Sequence, residues 1–352
     1  MKVANAAQRT AATGSLFGLA LGDALGWPTE FKDTEAIAAL GPWRELPLPD
    51  PAVVTDDTQM TLAVGRALQA ATGHSGGTGD AGDAGSLTPE GLERALREEF
   101  VAWYHSPENN RAPGHTCLAA CRLLDGDRPW QQATGAGSKG CGANMRVAPL
   151  GLMPGLTDEE RAGAAQLQAG MTHGHPTALA ASDLTAHAVR LLAEGCPPGG
   201  LPAALRAYAG DNRTVYHERW LGGLWQRPAL GATPEEFIAS GWDECLAALD
   251  RLEAALPGFG PDSDPCAATG DGWIAEEALA TALLCFLRFP DEPVTAIRRG
   301  AATRGDSDSI AAIAGALAGA RLGIAAWPTA WCDRVEYRTG LLRLGTAWDT
   351  GR

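Results

Sequence analysis

Two short stretches gather oxygen-bearing side chains at the start of apolar, helix-forming segments. In Val53-Val54-Thr55-Asp56-Asp57-Thr58-Gln59-Met60, two carboxylates stand between two hydroxyls and a helical apolar pattern follows at once. One acceptor suffices to cap a helix, and a negative charge there offsets the helix dipole. Capping therefore accounts for one carboxylate, whereas a run of hard oxygens also suits Mg²⁺ or Mn²⁺. The second stretch, Arg304-Gly305-Asp306-Ser307-Asp308-Ser309, leads into IAAIAGALAGARLG. Residues two apart around a turn can converge, so Asp306, Asp308 and Ser309 could present three oxygens to one point. Gly315 and Gly319 behind them permit close helix contact, which would hold a carboxylate cluster rigidly. Two such clusters facing each other would bind two hard cations and let an acidic pocket accept a phosphate-bearing or hydroxyl-rich substrate.

Two further stretches could meet such a substrate. Thr172-His173-Gly174-His175-Pro176 opens a helix, because Pro suits the first helical position, and a helix N-terminus attracts anions. A soft-metal site or a simple turn would explain the histidines equally. Gly135 to Arg146 reads GAGSKGCGANMR, whose glycines could bring backbone amides close to a phosphate. It is not a Walker loop, since Gly140 and Cys141 follow Lys139, and no strand precedes it. A plain flexible loop is the competing reading.

The elements that must position these residues read as helices. Apolar residues recur at helical spacing over 11–26, 58–71, 90–104, 115–124, 176–194, 244–255, 275–288 and 309–324. Alanine is abundant, and period-2 alternation is nearly absent, so the fold class is all-α. Pro28, Pro42, Pro47, Pro49 and Pro51 make the segment between the first two helices a loop. Residues 196–241, with several Pro, Gly and Trp, read as an irregular subregion. Residues 73–86 (GHSGGTGDAGDAGS) read as a flexible surface insertion. A length of 352 residues would allow two domains at about 150 residues each, yet no boundary is evident. One domain over 1–352 is expected, with its core at about 13–325.

The charge balance, 28 − 42 = −14, comes with no Lys/Arg run. This disfavours an unmodified nucleic acid or an anionic membrane as partner. Eight scattered cysteines without a CxxC pair read as reduced core thiols. Lys2 and Arg9 before Leu16–Leu25 faintly imitate a signal peptide, but Asp23 interrupts the stretch and no clean cleavage site follows. No run of 18 apolar residues occurs, so a cytoplasmic protein is expected.

Six stretches, in chain order, carry a resemblance: GSLFGLALGDALGWPTEF, VTDDTQMTLAV, RAPGHTCLAA, GCGANMRVAPLGL, THGHP and GDSDSIAAIAGALAGARLG. Together they resemble the ADP-ribosylglycohydrolase family from about Thr13 to Gly323. The resemblance implies a compact all-α fold with a dinuclear Mg²⁺ or Mn²⁺ centre at the base of an ADP-ribose cleft. It implies metal ligation by Thr55, Asp56 and Asp57 from the first turn and by Asp306, Asp308 and Ser309 from the second. Glu30 matches an acidic residue of a loop near the metals or substrate, and Gly114 a glycine of a ligand-contacting turn. Ser138, Gly140 and Gly142 match a phosphate-contacting loop, and His173 a substrate-binding histidine. The chain departs from the family pattern at Cys141, where Asn is common, at Lys139, near the place of an adenine-stacking aromatic, and at Ser309, where Thr is frequent.

The implied reaction is hydrolysis of the bond joining the ribose anomeric carbon of ADP-ribose to an acceptor, such as a protein side chain, with ADP-ribose as product. Glu30, or whichever of Asp56, Asp57 and Asp308 is not saturated by metal, would move the proton. A two-metal phosphohydrolase of ADP-ribose-like nucleotides and a non-catalytic ADP-ribose-binding protein are the alternatives. The acceptor is left open among arginine, serine, a modified nucleic acid, a small molecule and a polymer.

Overall fold

A computed structural model describes residues 8–73, 86–126, 128–227 and 229–351. The Gly/Asp-rich stretch 73–86 thus lies outside the described residues except at its two ends.

The architecture is decided first by glycine at every fourth position of the helix Ala11–Gly26. Gly14, Gly18, Gly22 and Gly26 share one face, since residues four apart stack on a helix. That face meets the helix Ser307–Leu322 backbone to backbone. A Cβ on Gly18 would lie 2.2 Å from the Gly315 carbonyl oxygen, and one on Gly22 would lie 2.1 Å from that of Ala311. A Cβ on Gly26 would lie 2.4 Å from Asp308 Cα. Only hydrogen fits there, so this contact fixes the turn bearing Asp306–Ser309 beside the end of the first helix. Both helices are buried almost throughout.

The remaining helices wrap this pair. Pro176–Ala193, Ala275–Arg288 and Pro293–Ala301 pack on Ser307–Leu322, and Asp56–Thr72 packs on Pro89–Tyr104. The helix Arg338–Thr350 returns to the chain start, where the Asp349 carboxylate accepts from the backbone N–H groups of Ala12 (2.8 Å) and Thr13 (3.0 Å). A carboxylate at a helix N-terminus satisfies orphan donors and opposes the dipole.

Among the described residues there is no strand, only isolated bridges, and the all-α reading stands. Two expectations need correction. Residues 196–241 are irregular only in part: they hold the helices Leu201–Asp211 and Glu218–Leu221, and the helix Pro234–Ala255 begins ten residues before the expected 244. Thr233 caps that last helix by accepting from Glu236 N–H, with Pro234 at the first helical position. The proline-rich segment after the first helix is not all loop either, because Asp33 caps a short helix, Thr34–Ala38. The helix Asp158–Gly170 carries no visible period because its residues from Arg161 onward are all buried, leaving no polar face to alternate with. All eight cysteines are free, and no helix among the described residues is long and apolar enough to cross a membrane.

Candidate active site

The two acidic turns arrive at one pocket of about 670 Å³. Asp56 and Asp57 begin the helix Asp56–Thr72, and Asp308 and Ser309 lie in the first turn of Ser307–Leu322, with Asp306 immediately before it. Glu30 and Phe31 line one side, while Gly114, Gly140, Gly142 and His173 form the opposite wall. Asp56, Asp57, Asp306 and Asp308 are all buried, and Glu30 is half-buried. Among the described residues, no Lys or Arg lines the pocket.

Carboxylates so gathered cannot all stay ionised in water-poor surroundings. Burial, reinforced by Asp308, pushes Asp56 up to about 8. Glu30 rises to about 9 for the same reasons, with Asp56 and Asp23 adding to the effect. Asp57 and Asp306 rise well above the carboxylate range, again through burial and then Asp308. Asp308 itself is raised by burial, opposed by hydrogen bonds from Asp306 and from the Ser309 N–H, the latter at 2.9 Å.

Whether a divalent cation fits can be asked of the atoms present. One oxygen each from Glu30, Asp306 and Asp308 lies within 4.8 Å of the others. Asp57 Oδ2 is buried without a hydrogen-bond partner, which is costly for a carboxylate oxygen unless something else meets it. The donors are hard oxygens throughout, as Mg²⁺ and Mn²⁺ require. The residues fit such a group.

One residue of this site was not singled out as a site residue from the sequence. Asp23, on the first helix, is fully buried and accepts from the N–H of Thr55 (2.9 Å) and from the N–H and hydroxyl of Thr58 (3.0 and 2.5 Å). It rests behind the first acidic turn and sets its conformation, and burial with Asp308 raises it to about 7. Its position four residues before Trp27 in an apolar helix was the available clue: a carboxylate inside a buried helix needs partners. Thr55 itself lies under the floor, and its hydroxyl accepts from Asp57 N–H at 3.3 Å.

On the opposite wall, glycine lets the loop pack closely on Cys117 and His173. A Cβ on Gly142 would sit 2.8 Å from Cys117 Sγ and 3.1 Å from His173 Cε1, and one on Gly140 would sit 3.3 Å from His173 Nε2. Gly114 N–H donates to Asp56 Oδ2 at 3.4 Å, linking this wall to the floor. Ser138 is not among the lining residues, and its hydroxyl pairs with that of Thr116 at 3.1 Å. Lys139 is held by Glu244 and Glu276, the latter at 2.6 Å, and points its charge away from the pocket. His175 caps its helix, accepting from Thr177 N–H at 3.2 Å, so only His173 of the pair faces the ligand space.

The tautomer of His173 follows from its neighbours. Arg146 is fully buried and donates to Thr172 Oγ1 at 2.8 Å. A guanidinium only donates, so this hydroxyl accepts from it. Its own proton then goes to His173 Nδ1 at 2.8 Å in preference to the Ala169 carbonyl at 3.5 Å. Nε2 therefore carries the ring hydrogen and faces Gly140 and Gly142. Burial, with the Arg146 charge, lowers the ring to about 3 and keeps it neutral.

The helical fold thus sets buried carboxylates, as a cation-compatible floor, against a wall that carries glycines and His173. A sequence profile of the ADP-ribosylglycohydrolase family matches residues 4–350, and the chain belongs to that family of glycohydrolase enzymes. It is 26% identical over 356 residues to the "ADP-ribosylhydrolase ARH3" of Mus musculus, covering 92% of this chain and 86% of that protein. It is 31% identical over 179 residues to the "ADP-ribosyl-[dinitrogen reductase] glycohydrolase" of Rhodospirillum rubrum, covering 48% of this chain and 53% of that one. A solved structure titled "ADP-ribosylglycohydrolase-related protein complex" shares the fold, with a TM-score of 0.65, 22% identity and coverage of 97% and 98%.

Proposed function

We propose that this chain hydrolyses the glycosidic bond between ADP-ribose and an acceptor side chain, using divalent cations held by Thr55, Asp56, Asp57, Asp306, Asp308 and Ser309. The observation that carries the reading is the meeting of two acidic turns, 250 residues apart between Asp56 and Asp306, on one pocket with no Lys or Arg among its described lining residues. The gathered negative charge suits Mg²⁺ or Mn²⁺, which when bound would orient ribose hydroxyls and polarise a water. His173 donates its Nε2 hydrogen to a diphosphate oxygen, beside the backbone of Gly140 and Gly142, which line the same pocket. Glu30, half-buried at the mouth beside Asp308, is the carboxyl placed to exchange a proton with water or the departing group. Positive charge that develops on the ribose in the transition state faces the carboxylate floor and is stabilised there. The eight free cysteines support action in a reducing compartment such as the cytoplasm.

The test is product analysis on an ADP-ribosylated protein with Mg²⁺, Mn²⁺ or chelator. Intact ADP-ribose released only with metal supports the proposal. AMP plus ribose phosphate would assign attack at phosphorus, and metal-independent binding without turnover would assign a binding protein.

A further inference from the structure

A second cavity, of about 550 Å³, opens beside the helix Thr34–Ala38 and shares no lining residue with the acidic pocket. Ile37, Pro42 and Trp43 supply its apolar lining, and Arg299, Asp262 and Asp264 supply its charge. Arg299 is 4% exposed, yet among the described residues its one side-chain hydrogen bond runs from Nη2 to the Ala302 carbonyl. Its Nε is buried with no acceptor. A guanidinium carries several N–H donors and stays charged, so most of this one's hydrogen-bonding capacity is unspent. Arg146, also buried, spends its own on Gln168 and Thr172. The two carboxylates of the cavity do not bond Arg299. Asp262 Oδ1 accepts from Trp43 Nε1 at 2.9 Å and from Arg44. Asp264 accepts from the backbone N–H groups of Cys266 (3.0 Å) and Arg304 (3.4 Å) and, among the described residues, has no cationic partner. Both still lie within electrostatic reach, since they oppose the downward shift that burial imposes on the guanidinium.

We propose that this cavity binds a free α-amino acid with an aliphatic side chain. The carboxylate would take the unspent donors of Arg299, the ammonium would face Asp264 and Asp262, and the hydrocarbon would cover Ile37 and Pro42. A buried guanidinium short of acceptors gains most from an oxyanion, which accepts charge-assisted hydrogen bonds. Two carboxylates beside it repel a dianion such as phosphate but attract an ammonium. A ligand that carries both charges answers both. A simple carboxylate leaves Asp264 without a cation, and a simple amine leaves Arg299 without an acceptor. A planar base would find the Trp43 ring already occupied by two guanidinium groups, Arg299 at 4.6 Å and Arg44 at 4.2 Å. The volume lies within the range of small-molecule sites, roughly 300–1,000 Å³. This site is independent of the hydrolase reading, because the two cavities have no lining residue in common.

The experiment titrates the full-length protein by calorimetry with L-leucine, with isocaproate (leucine without its ammonium), with isoamylamine (leucine without its carboxylate) and with inorganic phosphate. The expected Kd for leucine is about tenfold or more below that of each other probe, the equivalent of one charge-assisted contact. Asp264→Asn should weaken leucine about tenfold and leave isocaproate unchanged or tighter. Arg299→Met should weaken leucine and isocaproate alike and leave isoamylamine unchanged. Asp264 is only half-buried, so its variant keeps the test open where loss of the buried guanidinium unfolds the chain. The indole N–H signal of Trp43 should move in NMR spectra as leucine is added. Equal affinity for leucine and isocaproate overturns the inference, and tighter phosphate binding assigns a plain oxyanion site in its place. No saturation up to about 10 mM leucine removes the site altogether. A leucine affinity unchanged by Asp264→Asn, or an unmoved Trp43 signal, puts the ligand elsewhere and also overturns it.

Discussion

On the floor of the pocket, Asp56, Asp57, Asp306 and Asp308 are buried together with no cationic side chain among the described lining residues. In the wall behind His173, a guanidinium, Arg146, is buried with no carboxylate bonded to it. Arg146 nevertheless finds Gln168 Oε1 (2.8 Å), the Gln168 carbonyl (2.9 Å), Thr172 Oγ1 (2.8 Å) and the face of Phe100 at 4.5 Å. Its hydrogens are satisfied by neutral acceptors, so the wall is complete as folded. The floor is not, since Asp57 Oδ2 lacks a partner and every carboxyl there is pushed upward. A protein can tolerate one buried charge by hydrogen bonding alone, whereas several like charges repel and await an added countercharge. The contrast separates the part that holds shape from the part that takes up ligand.

Removing the unfinished floor should have the largest effect. Asp57→Ala together with Asp308→Ala should lower kcat/KM by about a thousandfold or more. The cation-free melting temperature should not fall, because repulsion is relieved. Retained turnover would break the assignment of the floor.

Asp23→Asn tests how the floor is held. It keeps the size of the side chain but changes the acceptor that orders Thr55 and Thr58. Affinity for Mn²⁺, measured by calorimetry, should drop about tenfold to a hundredfold, as for supports of metal ligands elsewhere. An unchanged affinity would remove Asp23 from the site.

For the wall, Thr172→Val should weaken ADP-ribose binding about tenfold, the equivalent of one hydrogen bond. Nitrogen NMR of the wild type should show His173 with hydrogen on Nε2, a preference lost in the variant. Hydrogen on Nδ1 in the wild type would reverse the derived tautomer.

The smallest effect is one of pH. Without cations, Asp23, Asp56 and Glu30 hold protons up to about 7, 8 and 9, above the ordinary carboxylate range near 4 found in the unfolded chain. The native state then binds more protons than the unfolded one between about pH 4 and 9, so stability falls as pH rises across that window. The melting temperature should drop by about 2 °C per pH unit for each extra proton held. Saturating Mg²⁺ should flatten the slope, and a chelated protein that melts independently of pH would contradict the charged floor.

Much of this was legible in the residues themselves. Helices with a polar face, such as Pro89–Tyr104 and Ala275–Arg288, announce themselves by period, and the Asp-rich turns stand out because capping needs fewer oxygens than they carry. Helices such as Asp158–Gly170 did not, because burial on all sides erases the period. Asp23 was read only as a break in an apolar stretch, since its partners Thr55 and Thr58 are more than 30 residues away. Ser138 and Gly140, two apart in one loop, look equivalent along the chain, yet one turns to Thr116 and the other to the pocket.

Local chemistry, then, is written in the chain: which turns can donate hard oxygens, which segments wind into helix, and which glycines leave a face bare. Only the folded backbone decides that Gly18 and Gly22 lie against Gly315 and Ala311. That contact holds the turn of Asp308 beside the end of the first helix, where it shares a pocket with Asp57. The reason is that side-chain type and spacing act within a turn or two of helix, whereas the meeting of remote carboxylates depends on how closely two helices can pack. That closeness is set by the volume absent at their interface.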